Sequence, residues 1–179
     1  MAILKVVHFP DDRLRCKCRP VEVIDDKIKT LAADMFETMY HDEGIGLAAP
    51  QVGLKIRMVV IDIPGDDGEQ GKPENQVVLI NPEITAREGE VLSTEGCLSV
   101  PEYNAEITRS EKVQVKALNL NGEEVTYDAG GLFAICLQHE IEHLDGTLFI
   151  DHLSALKRGM LLKKYTKLKK EAKRSGVEY

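Results

Sequence analysis

The sequence predicts an α+β domain. Mostly antiparallel sheets pack around a central helix carrying His139-Glu140-Ile141-Glu142-His143, with a helix near the N-terminus and a basic helix at the C-terminus. Three observations lead there. Apolar residues recur at helical spacing before residue 40 and again after residue 130. Several stretches between them alternate polar and apolar residues, as half-buried strands do. The breaks between those stretches are short and rich in Asn, Gly and Pro, which suits antiparallel neighbours rather than crossovers. A chain of 179 residues is long enough for one sizeable core. Residues 1–156 are expected to form the main body, and residues 157–179 a basic helix packed on it or extending from it, with Leu161, Leu162, Tyr165 and Leu168 as the face that packs.

Each element has a local cause. Asp25 and Asp26 precede Ile28, Leu31, Ala32, Met35, Phe36 and Met39, the pattern of an amphipathic helix opened by acidic residues. Gly44 is placed to cap its C-terminus. Residues 57–63 read as a strand that stops at Pro64. Residues 64–75 hold Gly65, Gly68, Gly71 and Pro73 and read as a mobile surface loop. Residues 76–80 read as a strand ended by Asn81-Pro82. Residues 111–118 and 123–127 alternate, with Asn121-Gly122 as a hairpin turn between them. Leu132, Phe133, Ile135, Cys136 and Leu137 then lead into His139 as a helix buried on most sides, with Asp128 as candidate N-cap and Gly146 as its stop.

His139 and His143 stand four residues apart, so on a helix both imidazoles face one point and can reach one metal ion. Glu140, between them, sits beside that ion without having to bind it and can take a proton from an attacking water. The alternative is a solvated helix with these residues by composition alone. The buried run before the motif argues against it, because buried histidines need a shared partner. A catalytic site usually takes three protein ligands. Downstream the pattern H-E-x-x-H-x-x-G-x-x ends on Phe149, where one protease class has a third histidine. Residues 163–165 are Lys-Lys-Tyr, where another class has a glutamate, and His152 has no recognisable spacing.

The third ligand is therefore sought upstream. Cys97, in Glu95-Gly96-Cys97-Leu98-Ser99-Val100-Pro101, lies where a strand end or tight loop exposes one thiolate. Cys16, Cys18 and Cys136 read as small buried apolar residues, Cys136 lining the site from one helical turn before His139. A third segment, Gly44-Ile45-Gly46-Leu47-Ala48-Ala49-Pro50-Gln51, lets backbone come close to another object and ends on an amide donor.

These three segments, in this order, resemble the signature motifs of the peptide deformylase family. The resemblance runs from about Asp26 to about Leu153, and residues 4–20 look similar too. It implies a metallohydrolase that removes the N-formyl group from the initiator methionine of new polypeptides. By that resemblance Cys97, His139 and His143 hold the metal, natively Fe(II), with Zn(II), Ni(II) or Co(II) as possible substitutes. Glu140 is the general acid/base, and Gln51 and the Leu98 N–H face the substrate carbonyl. Ile45, Gly46, Leu132, Ile135 and Cys136 line the methionine pocket. Glu95 and Arg109 are read either as a pair that orients a ligand or as an ordinary structural salt bridge. One position departs: Asn104 stands where many relatives carry an arginine near the peptide, which leaves contacts beyond the methionine open. A metalloprotease of another class and a non-catalytic ribosome-binding protein are the rival readings.

Composition agrees. No run is apolar enough to span a membrane, no signal peptide opens the chain, and four cysteines without a framework fit a reducing compartment, so a cytoplasmic monomer is expected. Residues 157–179 hold nine Lys or Arg against Glu171 and Glu178, a net of +7; the whole chain carries −7, so residues 1–156 carry −14. A basic helix on an acidic body suits RNA phosphates, and the family resemblance points to the ribosome near the nascent-chain exit.

Overall fold

The computed structural model describes residues 2–177, and its first long helix, α1, spans Asp26–His41. The Asp25 side chain accepts a hydrogen bond from the Ile28 N–H and so caps it. The helix does not end on a left-handed Gly44. Glu43 takes that conformation (φ 58°), while the Gly44 N–H returns to the Met39 carbonyl. Gly44 instead packs against Leu98: a Cβ there would lie 2.9 Å from Leu98 Cδ1, so that side chain would have to shift.

Seven strands follow: β1 (Gly46–Ala48), β2 (Met58–Asp62), β3 (Gln76–Glu88), β4 (Val91–Cys97), β5 (Val100–Arg109), β6 (Lys112–Leu118) and β7 (Glu124–Gly130). Helices α2 (Gly131–His143) and α3 (Ala155–Arg174) complete the chain. One antiparallel sheet has the order β1-β2-β3-β6-β7; the other is the β4-β5 hairpin. Asn81-Pro82 does not end β3. Asn81 adopts φ 53°, the register slips between Ile80 and Glu83, and the strand continues as a bulged ribbon. The β6–β7 hairpin turns through Gly122 at φ 77°, with the Asn119 side chain accepting from the Asn121 and Glu123 amides.

Strand β2 explains the layering. Val59 and Ile61 pack with Ala134, Leu137 and Ile141 of α2, while Met58 and Val60 pack with Met35, Phe36 and Met39 of α1. Both faces of this strand are covered, so it reads as an unbroken apolar run rather than an alternation. On its other side α2 meets the β4-β5 hairpin: the Gln138 amide exchanges hydrogen bonds with the Ser110 main chain. Asp128 does not cap α2. It belongs to β7, where it accepts from Gln114, and Gly130 occupies the cap position without a side-chain bond.

Helix α3 buries a narrow face. Leu161 and Tyr165, one turn apart, pack with Phe9, Val100 and Phe149, and the Tyr165 hydroxyl donates to the Pro101 carbonyl (2.5 Å). Leu162 (48 % exposed) and Leu168 (39 %) stay outside, contrary to the expectation that both pack on the body. At 100° per residue Leu162 falls off the stripe that Leu161 and Tyr165 set, whereas Leu168, about 20° from Leu161, lies on that stripe and is still exposed. Glu178 and Tyr179 of the expected basic segment lie outside the described residues. No helix among the described residues is long and apolar enough to cross a membrane.

Candidate metal centre

Strand β4 delivers Cys97 at its last residue, and α2 delivers His139 and His143 from its buried face. Their potential donor atoms all lie within 4.8 Å of one another, with Cys97 Sγ 3.4 Å from His143 Nε2. Cys97 is half-buried and both histidines are buried. His139 Nδ1 lies 2.9 Å from Glu95 Oε1, which leaves its other nitrogen for the shared point. Glu95 is gripped in turn by Arg109, whose Nε and Nη2 donate at 2.8 and 2.7 Å.

The electrostatics agree with a cation at that point. Burial drives His143 well below the ordinary histidine range, and neighbouring His139 adds to this, so its imidazole is neutral. Burial opposes a charge on His139 as well, yet its hydrogen bonds with Cys97 and Glu95 outweigh it and raise its pKa well above 6.5. Cys97 and Glu95 thus favour positive charge at His139, while His143 stays neutral. Burial would raise Glu95, but Arg109 and His139 outweigh it and hold this carboxyl at about 2. A thiolate and two imidazoles are donors that suit Fe(II) and Zn(II) alike, and Glu140 Oε2, buried beside them, has no hydrogen-bond partner among the described residues. The residues fit a divalent metal.

Two acceptor and donor groups flank the centre. Burial pushes Glu140 up to about 7, with His139 opposing. Gln51 follows β1 in a short 3-10 turn and is itself buried. The Ala48 N–H donates to Gln51 Oε1 (2.9 Å), which orients the amide so that Nε2 points at Ser99 Oγ (3.1 Å) and Cys97 Sγ (3.5 Å). Leu98 occupies the tight turn between β4 and β5.

Two cavities meet at Glu140. A cleft of about 840 Å³ is lined by Ile45, Gly46, Gln51, Cys97, Leu98 and Glu140, with Tyr103 and Asn104 on its far side. A smaller cavity of about 120 Å³ lies between Ile45, Leu132, Ile135, Cys136 and His139. Every site residue expected from the sequence therefore lines the donor cluster or one of these cavities.

The relatives agree with the geometry. A family model described as polypeptide deformylase matches residues 3–159. The chain belongs to the peptide deformylase family. It is 47 % identical over 178 residues to the peptide deformylase of Buchnera aphidicola subsp. Acyrthosiphon pisum, which covers 99 % of both chains. The structure of a peptide deformylase from Legionella pneumophila is similar at 48 % identity and a TM-score of 0.83, covering 94 % of this chain and 98 % of that one. The Ehrlichia chaffeensis enzyme in complex with actinonin gives 42 % identity and a TM-score of 0.86, with 93 % and 98 % covered. The protein is thus a metal-dependent hydrolase that removes the N-formyl group from the N-terminal methionine of newly made polypeptides.

His152 lies apart from the donor cluster, 2.8 Å from Glu142 Oε1 and 3.4 Å from Arg109 Nη1. The structure also adds residues that the sequence reading passed over. Ser99 is fully buried and accepts from Gln51, and His8 lines the large cleft. Ser99 stood in plain view two residues after Cys97. His8 carried no signal beyond lying in the opening segment similar to the family.

Proposed function

We propose that Cys97, His139 and His143 are the metal ligands and that the resident ion is Fe(II), for which Zn(II), Ni(II) or Co(II) can substitute. When bound, the cation supplies Lewis-acid chemistry that acidifies a water and polarises the formyl carbonyl. The formylated methionine enters with its side chain in the 120 Å³ cavity between Ile45, Leu132, Ile135 and Cys136, and Gly46 lets its backbone approach. The rest of the peptide runs along the 840 Å³ cleft. Glu140 takes the proton of the attacking water as its oxygen bonds to the formyl carbon. Gln51 Nε2 and the Leu98 N–H donate to the oxygen on which charge develops, each worth about 3 kcal/mol in such a role. Glu140 then passes the proton to the departing amine nitrogen, and formate leaves.

The convergence of a buried Glu140 with the three donors and the oriented Gln51 amide carries this reading. Anaerobically purified protein incubated with formyl-Met peptides tests it: formate and free amine should appear in equal amounts. Absence of formate with a fully metallated protein would sink it.

We also read residues 1–156 as the catalytic body of a cytoplasmic monomer, and residues 157–179 as its docking element. The exposed Lys and Arg of α3 are suited to ribosomal RNA phosphates near the nascent-chain exit.

A further inference from the structure

Gly44 to Gly46 form one wall of the large cleft. A Cβ at Gly44 would lie 2.9 Å from Leu98 Cδ1, and one at Gly46 2.8 Å from Cys136 Sγ and 3.0 Å from Glu140 Oε1. This wall therefore packs closely against the side chains of Leu98, Cys136 and Glu140, and its position sets how much room a peptide has. Few bonds hold it. The Gly44 N–H donates to the Met39 carbonyl (2.8 Å), and the Ile45 carbonyl accepts from the Asp62 N–H (2.9 Å). The Gly44 carbonyl is held from elsewhere: Gln70, in the loop between β2 and β3, donates from Nε2 to it (3.1 Å) and to the Asp62 carbonyl (2.8 Å).

The two amide hydrogens of Gln70 thus join the end of β2 to the segment entering β1. The loop around Gln70 is itself anchored. The Gly71 N–H donates to Asp62 Oδ2 (2.8 Å), the Tyr40 hydroxyl donates to the same oxygen (2.5 Å), and Gln76 Nε2 donates to the Tyr40 hydroxyl (2.9 Å). Asp62 is fully buried, so its carboxylate is a shielded anchor for the loop.

We propose that Gln70 is a positioning residue for substrate binding: acting through the Gly44 carbonyl, it holds the 44–46 wall at the distance from Leu98 and Glu140 that a bound formyl peptide requires. The proposal rests on the assignment of the large cleft to the peptide. It gives the loop at residues 64–75 a part in catalysis that its glycine-rich sequence does not announce.

The test compares holoenzymes carrying Gln70→Ala, Gln70→Glu, Gln70→Lys and, as a control in the same loop, Lys72→Ala, whose ammonium pairs with Asp67 and Glu69. kcat and KM for a formyl-Met tripeptide, metal content and urea midpoint are measured for each. Gln70→Ala should raise KM about tenfold, the scale of losing the hydrogen bond that holds the Gly44 carbonyl, with kcat and metal content near wild type. Gln70→Glu, which sets a carboxylate against two carbonyl oxygens, should raise KM further. Gln70→Lys keeps a donor and should restore most of the affinity. If Gln70→Glu does not fold, Gln70→Ala and Gln70→Lys carry the comparison. An unchanged KM in Gln70→Ala, or an equal rise in Lys72→Ala, overturns the proposal. Failure of the wild type to release formate is a separate result and overturns the deformylase reading itself.

Discussion

The Glu95 carboxylate lies 2.9 Å from His139 Nδ1 and is held on its other side by both Nε and Nη2 of Arg109. Glu95 and Arg109 are both buried, and Arg109 Nη1 also reaches Glu142 Oε1 at 2.8 Å. The pair is therefore more than a salt bridge: it sets the orientation of an imidazole that faces the donor cluster. Arg109→Ala would strand a buried carboxylate, and breaking such a pair costs about 3–5 kcal/mol. Denaturant unfolding should show a loss of that size. Metal affinity should fall about 10- to 100-fold, as when a group supporting a ligand is lost. Unaltered metal competition curves would show that Glu95 does not need Arg109 to orient His139.

Cys97→Ala should abolish stoichiometric binding of the catalytic metal, because two imidazoles alone hold a divalent ion weakly. Cys97→Asp should keep a harder oxygen donor with poor activity. Metal analysis beside a formate assay reads both. Equal metal and activity in Cys97→Ala would remove Cys97 from the ligand set.

Glu140→Ala should keep the metal and lose at least about a hundredfold in kcat, the scale of general acid/base catalysis. Gln51→Ala should lower kcat more than it raises KM, because its donor acts on charge that develops in the transition state. A Glu140→Ala protein without metal, or a kinetically silent Gln51→Ala, would mean that the roles are wrong.

Burial, followed by the hydrogen bond to Asp62, raises Tyr40 to about 12 from the usual 10. The unfolded chain loses this phenolic proton first, so the folded state binds more protons between those values. The Tyr40 contribution to stability is then complete below pH 10 and is lost as pH rises toward about 12. Urea midpoints across that window should fall more steeply for wild type than for Tyr40→Phe. Parallel curves would show that Tyr40 does not set this slope.

The basic helix can be tested without removing its packed face. Lys163→Glu, Lys170→Glu and Lys173→Glu together leave Leu161 and Tyr165 in place and should spare activity on short formyl peptides. Ribosome co-sedimentation should weaken sharply, and added salt should mimic the change in wild type. Salt-insensitive binding equal to wild type would make the helix only a solvated face. Truncation after Arg158 is a harsher variant, since it also removes Tyr165 and its bond to Pro101.

The sequence by itself determined the α+β class, the acidic start of α1 at Asp25 and Asp26, the β6–β7 hairpin and the helix carrying His139 and His143. Each rests on local causes: periodicity, a capping side chain, a turn residue. Pairing Cys97 with those histidines needed three separated motifs read together. What only the tertiary structure decided depends on long-range contact. Asn81-Pro82 looks like a strand end, yet pairing with β2 and then β6 carries β3 through it as a bulge. Gly44 looks like a helix cap, yet Glu43 takes the left-handed conformation and Gly44 packs against Leu98. Residues 64–75 look like a free loop, yet Gln70 fastens them to Gly44 and Asp62. Leu162 looks like core, yet the body offers α3 only the stripe taken by Leu161 and Tyr165. A residue's neighbours in sequence set its conformational preference, but its burial and hydrogen-bond partners are set by segments many residues away.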